Sequence, residues 1–170
     1  MLVTSMNPCP CGFYNHPNKE CLCNPQLVQR YLAKISGPLL DRIDLHVEVT
    51  PVEYNELASR SATGENSGDI RKRVILARER QIQRYAEMPE THHNAMMPSR
   101  LVRKICELDV ASESLLKTAM TRLDLSARAY DRILKVSRTI ADLDDSDTIR
   151  PEHVAEAIQY RSLDKESWAG

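Results

Sequence analysis

The stretch Ile35–Val49 reads Ile-Ser-Gly-Pro-Leu-Leu-Asp-Arg-Ile-Asp-Leu-His-Val-Glu-Val, and it separates a cysteine-dense N-terminal part from a longer C-terminal part. A Gly-Pro pair interrupts regular structure near its start, and Leu45–Val49 alternates apolar and polar residues as a half-buried strand does. Between these features, Arg42 stands between the carboxylates of Asp41 and Asp44. Taken locally, this pattern is typical of surface ion pairing, although a strand entry would also suit an arginine that must be held in place.

The composition of the chain bounds its class and its partners. Its 170 residues suffice for one ordinary domain or two small ones. Its 23 Lys and Arg residues against 24 Asp and Glu give no overall field that attracts nucleic acid or membrane. No apolar run approaches the ~20 residues needed to span a bilayer, and no signal-peptide pattern is present. We therefore expect a cytoplasmic protein with no membrane partner, in which any basic surface is local.

Four of the five cysteines form two C-x-C pairs separated by nine residues: Cys9, Cys11, Cys21 and Cys23. In a reducing compartment such clustering indicates a metal rather than disulfides. Four thiolates bind Zn²⁺ tetrahedrally and leave no open position for catalysis, so the predicted site is structural. The C-x-C spacing is tighter than the familiar C-x2-C, and free thiols are the alternative interpretation. His16 could replace one of the cysteines as a ligand.

The rest of the pattern predicts a mainly α fold with a small β remnant. One phenylalanine and one tryptophan leave a core of aliphatic residues, which favours helices over a β-sandwich. Apolar periodicity and capping residues, with Asn24 and Ser126 as N-caps, predict helices at about 24–36, 69–86, 98–107, 111–123, 126–143 and 151–161. Strands are predicted at Leu2–Ser5 and Leu45–Val49. Because two strands do not make an independent sheet, we expect the chain to start within a larger α/β domain.

The main domain boundary is predicted in the Ser-, Gly- and Asn-rich stretch 60–68, which lacks periodicity. This gives an N-terminal unit at 1–60, with a single helical turn at 51–59, and a helical unit at 61–170. Cys106, alone on a predicted helix, is expected to be a small buried apolar residue.

The predicted helix after this boundary is rich in cations. Six basic residues stand against few acids: Arg71, Lys72, Arg73, Arg78, Arg80 and Arg84. An apolar stripe through Ile70, Val74 and Ala77 is predicted to bury one side and to turn much of this charge outward. We interpret the basic side as a solvated face, with phosphate binding as the sharper alternative.

Three runs resemble the magnesium-chelatase-like AAA+ ATPases, and within them most of all the ComM/YifB type. These runs are Ser5–Gly12 (Ser-Met-Asn-Pro-Cys-Pro-Cys-Gly), Ile35–Val49 and Leu125–Leu143, which begins Leu-Ser-Ala-Arg-Ala-Tyr-Asp-Arg. The stretch His153–Trp168 is similar to the C-terminus of that family. The resemblance implies a truncated AAA+ α/β core segment followed by a helical lid bundle.

The resemblance also implies which residues act on a nucleotide. Asn7 is similar to the sensor-1 residue that orients the attacking water, and Arg128 to the sensor-2 arginine of the lid. Arg42 is similar to the arginine finger that acts on the ATP of a neighbouring subunit, and its flanking carboxylates are then expected to hold the guanidinium until a phosphate arrives. ATP and Mg²⁺ are the implied cofactors of the full-length parent.

AAA+ ATPases bind ATP with a Walker A loop and a Walker B acid. The sequence contains no Walker A run (Gly-x4-Gly-Lys-[Ser/Thr]), and none of its runs resembles the Walker B motif. We therefore expect this chain to be the C-terminal part of the parent and not to hydrolyse ATP by itself. The function implied for the parent is an ATP-driven homo-hexameric motor acting on DNA, of the branch-migration or helicase kind, in recombination or transformation.

Two other functions stay open on the sequence. A magnesium-chelatase-type subunit for metal insertion is one of them, and the cysteine loop, which the chelatase subunits lack, speaks against it. The other takes the chain at face value as a zinc-stabilised helical module that binds nucleic acid or protein.

Overall fold

The computed structural model describes residues 1–52 and 64–161, and these ranges fold mainly into helices. They form α1 (Pro25–Leu32), α2 (Gly37–Leu40), α3 (Ser67–Arg84), α4 (Ser99–Ile105), α5 (Val110–Arg122), α6 (Ala127–Leu143) and α7 (Pro151–Gln159), with a 3₁₀ turn at Asn94–Met96. The predicted mainly helical fold class is confirmed. The helical turn predicted at 51–59 and the predicted boundary near residue 60 fall largely outside the described residues.

Local capping explains where most of these helices begin. The side chains of Asn24, Asn66, Asp109 and Ser126 each accept a hydrogen bond from a backbone N–H in the first turn of the following helix. Gly37-Pro38 does not only end a helix, because α2 starts there with proline in its first turn. Proline suits that position because the first N–H groups of a helix have no partner inside it.

Helix α6 is the centre of the C-terminal bundle, where it packs against α3, α4, α7 and the 3₁₀ turn. Ile133, Leu134 and Ala141 lie buried along one of its sides. They share one core with residues of the surrounding elements: Tyr85, Met97, Val102, Cys106, Leu116, Ile149, Val154 and Ala157. Cys106 is buried as expected, and desolvation raises the pKa of its thiol to about 12. It is therefore a packing residue rather than a reactive thiol.

The two predicted strands are not formed among the described residues. Leu2–Ser5 and Leu45–Val49 have no ladder partner, and the described β-pairing is an isolated parallel bridge between Leu108 and Ile149. Alternation in the second segment is also inverted, because His46 is buried while Leu45 and Val49 are exposed. The physical reason is that a strand needs a neighbouring strand to pair its backbone groups. Instead, the His46 N–H donates to the carbonyl of Tyr160 at 2.8 Å.

Within the described ranges, no helix combines the length and the apolar character that crossing a bilayer requires.

Candidate functional site

The cysteine loop folds around Cys9, whose side chain is fully buried. A turn closes where Gly12 N–H donates to the Cys9 carbonyl at 3.0 Å, and Gly12 adopts φ +82°, a conformation that favours glycine. The Tyr14 N–H points at Cys9 Sγ from 3.3 Å. Val28 and Leu32 of α1 cover the loop and form a small second core with it. The sequence therefore builds the loop from a tight turn and one amphipathic helix.

The four predicted metal ligands come together in this loop. The sulfurs of Cys9, Cys11, Cys21 and Cys23 all lie within 4.8 Å of one another, and none of the four is in a disulfide. Sγ–Sγ distances are 3.3 Å between Cys9 and Cys11, 3.7 Å between Cys9 and Cys21 and 3.6 Å between Cys11 and Cys21. A Zn–S bond of about 2.3 Å places tetrahedral thiolates about 3.8 Å apart. The arrangement fits a four-thiolate metal site.

His16, the other ligand considered, does not belong to this cluster. Its Nδ1 accepts a hydrogen bond from the Asn18 N–H at 3.1 Å. The geometry therefore favours the all-cysteine ligand set.

The electrostatics of the cluster also suit a cation. A hydrogen bond from the Phe13 backbone lowers the pKa of Cys11 to about 6, against the effect of desolvation. The Cys23 backbone favours the Cys21 thiolate, yet desolvation and the Cys11 and Cys9 sulfurs outweigh it and raise the pKa of Cys21 to about 12. One thiolate thus suppresses the ionisation of its neighbours. A bound divalent cation removes that conflict because it attracts all four thiolates.

Arg42 lies just after α2, and its side chain is exposed. Its Nη1 donates to the Pro38 carbonyl at 2.7 Å, which closes one turn around the end of the helix. Within the described part of the chain, neither flanking carboxylate pairs with Arg42. The expectation that Asp41 and Asp44 hold the guanidinium is therefore wrong.

The two carboxylates turn instead towards the C-terminal bundle. Asp44 pairs with Arg132 of α6. Asp41 accepts a hydrogen bond from Ser126 Oγ at 2.8 Å and lies 3.9 Å from Arg128. The physical reason is competition: the cations and the hydroxyl at the start of α6 are better placed than the neighbouring guanidinium, which is engaged with a carbonyl.

Arg161 at the end of the bundle completes this junction. It is 1% exposed, donates to the Ile43 carbonyl and lies 3.8 Å from Asp41. The sequence pattern predicts Arg161 only as the last residue of a helix and gives no sign of the junction roles of Asp41 and Arg132. Contacts between residues 85 and 118 positions apart leave no trace in local periodicity. The capping signal at Ser126 was the one local clue.

Of the three residues predicted to contact a nucleotide, two lie near Asp41 and the third lies beside the cysteine turn. Arg42 follows Asp41 directly in the sequence, and the guanidinium of Arg128 lies 3.9 Å from the Asp41 carboxylate. Asn7 lies elsewhere, exposed beside the cysteine turn, where its amide is the nearest group to a Cβ placed on Gly12. Their roles at a nucleotide remain predictions.

The cations of α3 are mostly engaged with acids. Arg73 forms a two-bond pair with Glu65, Arg80 pairs with Asp145 and Asp147, and Arg84 pairs with the buried Asp142. Lys72 pairs with Asp69 within the helix. The predicted apolar stripe is only partly right, because Ala77 is buried while Ile70 and Val74 remain more than two-fifths exposed. Acids therefore neutralise most of the positive charge of α3, which weakens the hypothesis that this helix binds phosphate.

Comparisons with known proteins agree with this architecture. A family model described as magnesium chelatase, subunit ChlI, matches residues 1–57, and one described as magnesium chelatase, subunit ChlI C-terminal, matches residues 64–161. The second match alone covers more than half of the chain.

Several curated proteins are similar over nearly the whole chain. The uncharacterized protein YifB of Escherichia coli is 40% identical over 164 residues, which cover 96% of this chain and 31% of YifB. Competence protein ComM of Haemophilus influenzae is 40% identical over 162 residues, 95% of this chain and 30% of ComM. An uncharacterized protein of Mycobacterium tuberculosis is 37% identical over 161 residues, 94% of this chain and 31% of that protein. The chain therefore spans about a third of the length of these relatives.

The two matched ranges span the cysteine loop, the Arg42 segment and the helical bundle that the structure describes. This chain belongs to the magnesium-chelatase-like AAA+ family and is of the ComM/YifB type.

Proposed function

We propose that this chain supplies the finger, sensor and lid residues of an ATP-dependent, hexameric AAA+ motor that acts on DNA in the cytoplasm. The observation that carries the proposal is the state of Arg42. It is exposed, and within the described residues it has no carboxylate partner, although an acid stands one and two positions away. An arginine that served only surface ion pairing would pair with one of them.

The chemistry of phosphoryl transfer gives each residue a task. Negative charge builds on the phosphate oxygens, and the planar, permanently charged guanidinium of Arg42 can stabilise it in a neighbouring subunit's site. Arg128 would contact the phosphates from the lid, and Asn7 would orient the attacking water. Mg²⁺ bound with ATP supplies further charge neutralisation. The P-loop must come from sequence outside this chain, since none of its five glycines begins a P-loop run.

Zinc at the four cysteines would have a structural role in this machine. Four protein ligands leave no coordination position for substrate. The site would fix the loop that follows Asn7 and the helix α1 that leads to Arg42.

The DNA substrate and the hexamer rest on the ComM/YifB-type resemblance, and one relative is named a competence protein. Metal insertion of the magnesium-chelatase kind is the second candidate, because both family models carry that description. Turnover that depends on a tetrapyrrole and on a partner protein, rather than on DNA, would select this second candidate.

The test of the finger is Arg42→Ala in the full-length protein. We expect ATP turnover to fall by roughly 10³-fold or more, the range measured for fingers in trans. Arg30→Ala is the matched control, because Arg30 is an exposed arginine of α1. Mixing Arg42→Ala subunits with subunits that lack the P-loop lysine should restore activity, since some interfaces then combine an intact finger with an intact P-loop. Unchanged turnover in Arg42→Ala would refute the assignment.

A further inference from the structure

Helix α4 has a strictly divided surface. Val102 is fully buried, and Leu101 and Ile105 pack against the same core. Its three cations, Arg100, Arg103 and Lys104, are all exposed. They stand at i, i+3 and i+4, which places them on one side of the helix about 5–6 Å apart. The helix contains no acid.

These cations differ from those of α3 in what surrounds them. On α3, four of the six basic residues form ion pairs with acids. Within the described ranges, Arg100, Arg103 and Lys104 have neither an ion pair nor a hydrogen bond through their side chains. The carboxylate of Asp131 that reaches α4 is engaged by Ser99 Oγ at 2.5 Å instead. In a chain of net charge −1, this is a local concentration of free positive charge.

The helix dipole accounts for only part of this pattern. Arg103 and Lys104 lie in the last turn, where cations favour the helix. Arg100 is the second residue of the helix, where the dipole disfavours a cation and no acid of the first turn offsets it. Helix stability therefore does not explain why residue 100 is an arginine. A helix face that is only solvated would also be expected to carry acids among its cations, and α4 carries none.

We propose that the exposed side of α4, formed by Arg100, Arg103 and Lys104, is a docking surface for the phosphate backbone of DNA. The three side chains extend over roughly 6 Å of helix axis, and one DNA strand carries a phosphate about every 3.4 Å along its axis. The surface therefore spans about two consecutive phosphates on one strand, without base readout. The inference rests on the proposed function, from which it takes DNA as the substrate. It adds the place in the C-terminal bundle where the DNA backbone would bind.

The experiment measures binding of the 170-residue chain to a labelled DNA duplex and to the corresponding single strand, by anisotropy, across a salt series. The variant is Arg100→Gln, Arg103→Gln and Lys104→Gln combined. We expect the slope of log affinity against log salt to become shallower by about two, and affinity at low salt to fall at least about tenfold. Its unfolding transition should match the wild type, since all three side chains are exposed.

The matched control combines Arg71→Gln, Lys72→Gln and Arg78→Gln on α3, which removes the same charge from exposed positions. It should retain most of the binding. Equal losses in both variants, or no loss in the α4 variant, would overturn the inference. Displacement of the DNA by poly-glutamate at equal charge would reassign the surface to acidic peptides and overturn it as well.

Failure of the inference and of the proposed function remain distinguishable. If the full-length protein binds DNA and the α4 substitutions leave that binding unchanged, only the location is wrong. If neither the chain nor the full-length protein binds DNA, the DNA part of the proposed function fails, and the α4 assignment fails with it.

Discussion

At Asp41, one carboxylate meets side chains from both ends of the C-terminal bundle. It accepts a hydrogen bond from Ser126 at the start of α6 and lies within ion-pair distance of Arg128 and Arg161. Because Arg42 is its chain neighbour, a movement of the start of α6 would act on Arg42 through one peptide unit. In the proposed motor, Arg128 is shared between Asp41 and a phosphate, so nucleotide binding in the lid would be sensed beside Arg42.

Replacing Asp41 by Asn should therefore destabilise the chain more than the same change at Asp44. The amide keeps an acceptor for Ser126 but removes the negative charge that lies 3.8 Å from the buried Arg161, and we expect a loss of about 1–3 kcal/mol in the free energy of unfolding. Asp44→Asn breaks a pair whose acid is 58% exposed, which typically costs ~1 kcal/mol or less. Urea unfolding of both variants measures the two losses in the free energy of unfolding. Equal losses would contradict the junction role of Asp41.

At the scale of helices, the bundle is tied together by a polar network inside it as well as by its apolar core. Arg84 of α3 donates to Asp142 of α6 at 2.5 and 2.7 Å, and Asn94 donates to the same carboxylate at 2.8 Å. Asp142 is 2% exposed. Desolvation opposes its ionisation, but the hydrogen bonds from Arg84 and Asn94 outweigh it and lower the pKa of Asp142.

This lowered pKa makes the bundle sensitive to acid. The folded chain binds the proton more weakly than the unfolded chain, so the stability due to Asp142 is complete above the unfolded pKa of about 3.9. It is lost as the pH falls through the lower folded pKa. Asp142→Asn should cost about 3–5 kcal/mol at neutral pH, because it leaves buried cations unpaired. Its difference from the wild type should shrink below about pH 4.

Unfolding free energies measured from neutral pH to pH 3 test this prediction. Asp145→Asn is the control, because that carboxylate is 82% exposed in its pair with Arg80. It should change stability little at any pH. A difference between Asp142→Asn and wild type that stays constant down to pH 3 would exclude the linkage.

What the sequence could predict follows from the range of each interaction. The caps at Asn24 and Ser126 act within three residues, and both were predicted. The cysteine cluster was predictable because its four ligands lie within fifteen consecutive residues. A strand was wrongly predicted at Leu45–Val49, because its formation depends on a partner strand that the alternating pattern does not reveal. The pair of Arg84 with Asp142 joins residues 58 positions apart and left no local signal.

At the scale of the whole molecule, the described residues form two separate cores, and the segment 41–46 lies between them along the chain. The larger core belongs to the helical bundle, and the smaller one consists of Cys9, Val28 and Leu32 with half-buried neighbours. Burying Val28 and Leu32 contributes about 1.5–3 kcal/mol each, whereas ordering the backbone costs about 1–2 kcal/mol for every residue. The cysteine loop with α1 therefore needs a further stabiliser, and the thiolate cluster offers a place for one.

Metal removal should consequently unfold one part of the chain and spare the other. We expect the purified chain to contain one zinc ion, and chelation to abolish amide hydrogen-exchange protection around the cysteine loop and α1, because structural zinc contributes most of the folding free energy of such small units. Protection in α6 and α7 should persist, since their core contains none of the four ligands. Cys11→Ser should lose the metal, and Cys106→Ala should keep it despite lower stability. Unchanged protection of α1 after complete zinc removal would show that the loop folds on thiol packing alone, and the cluster would then have no structural metal role.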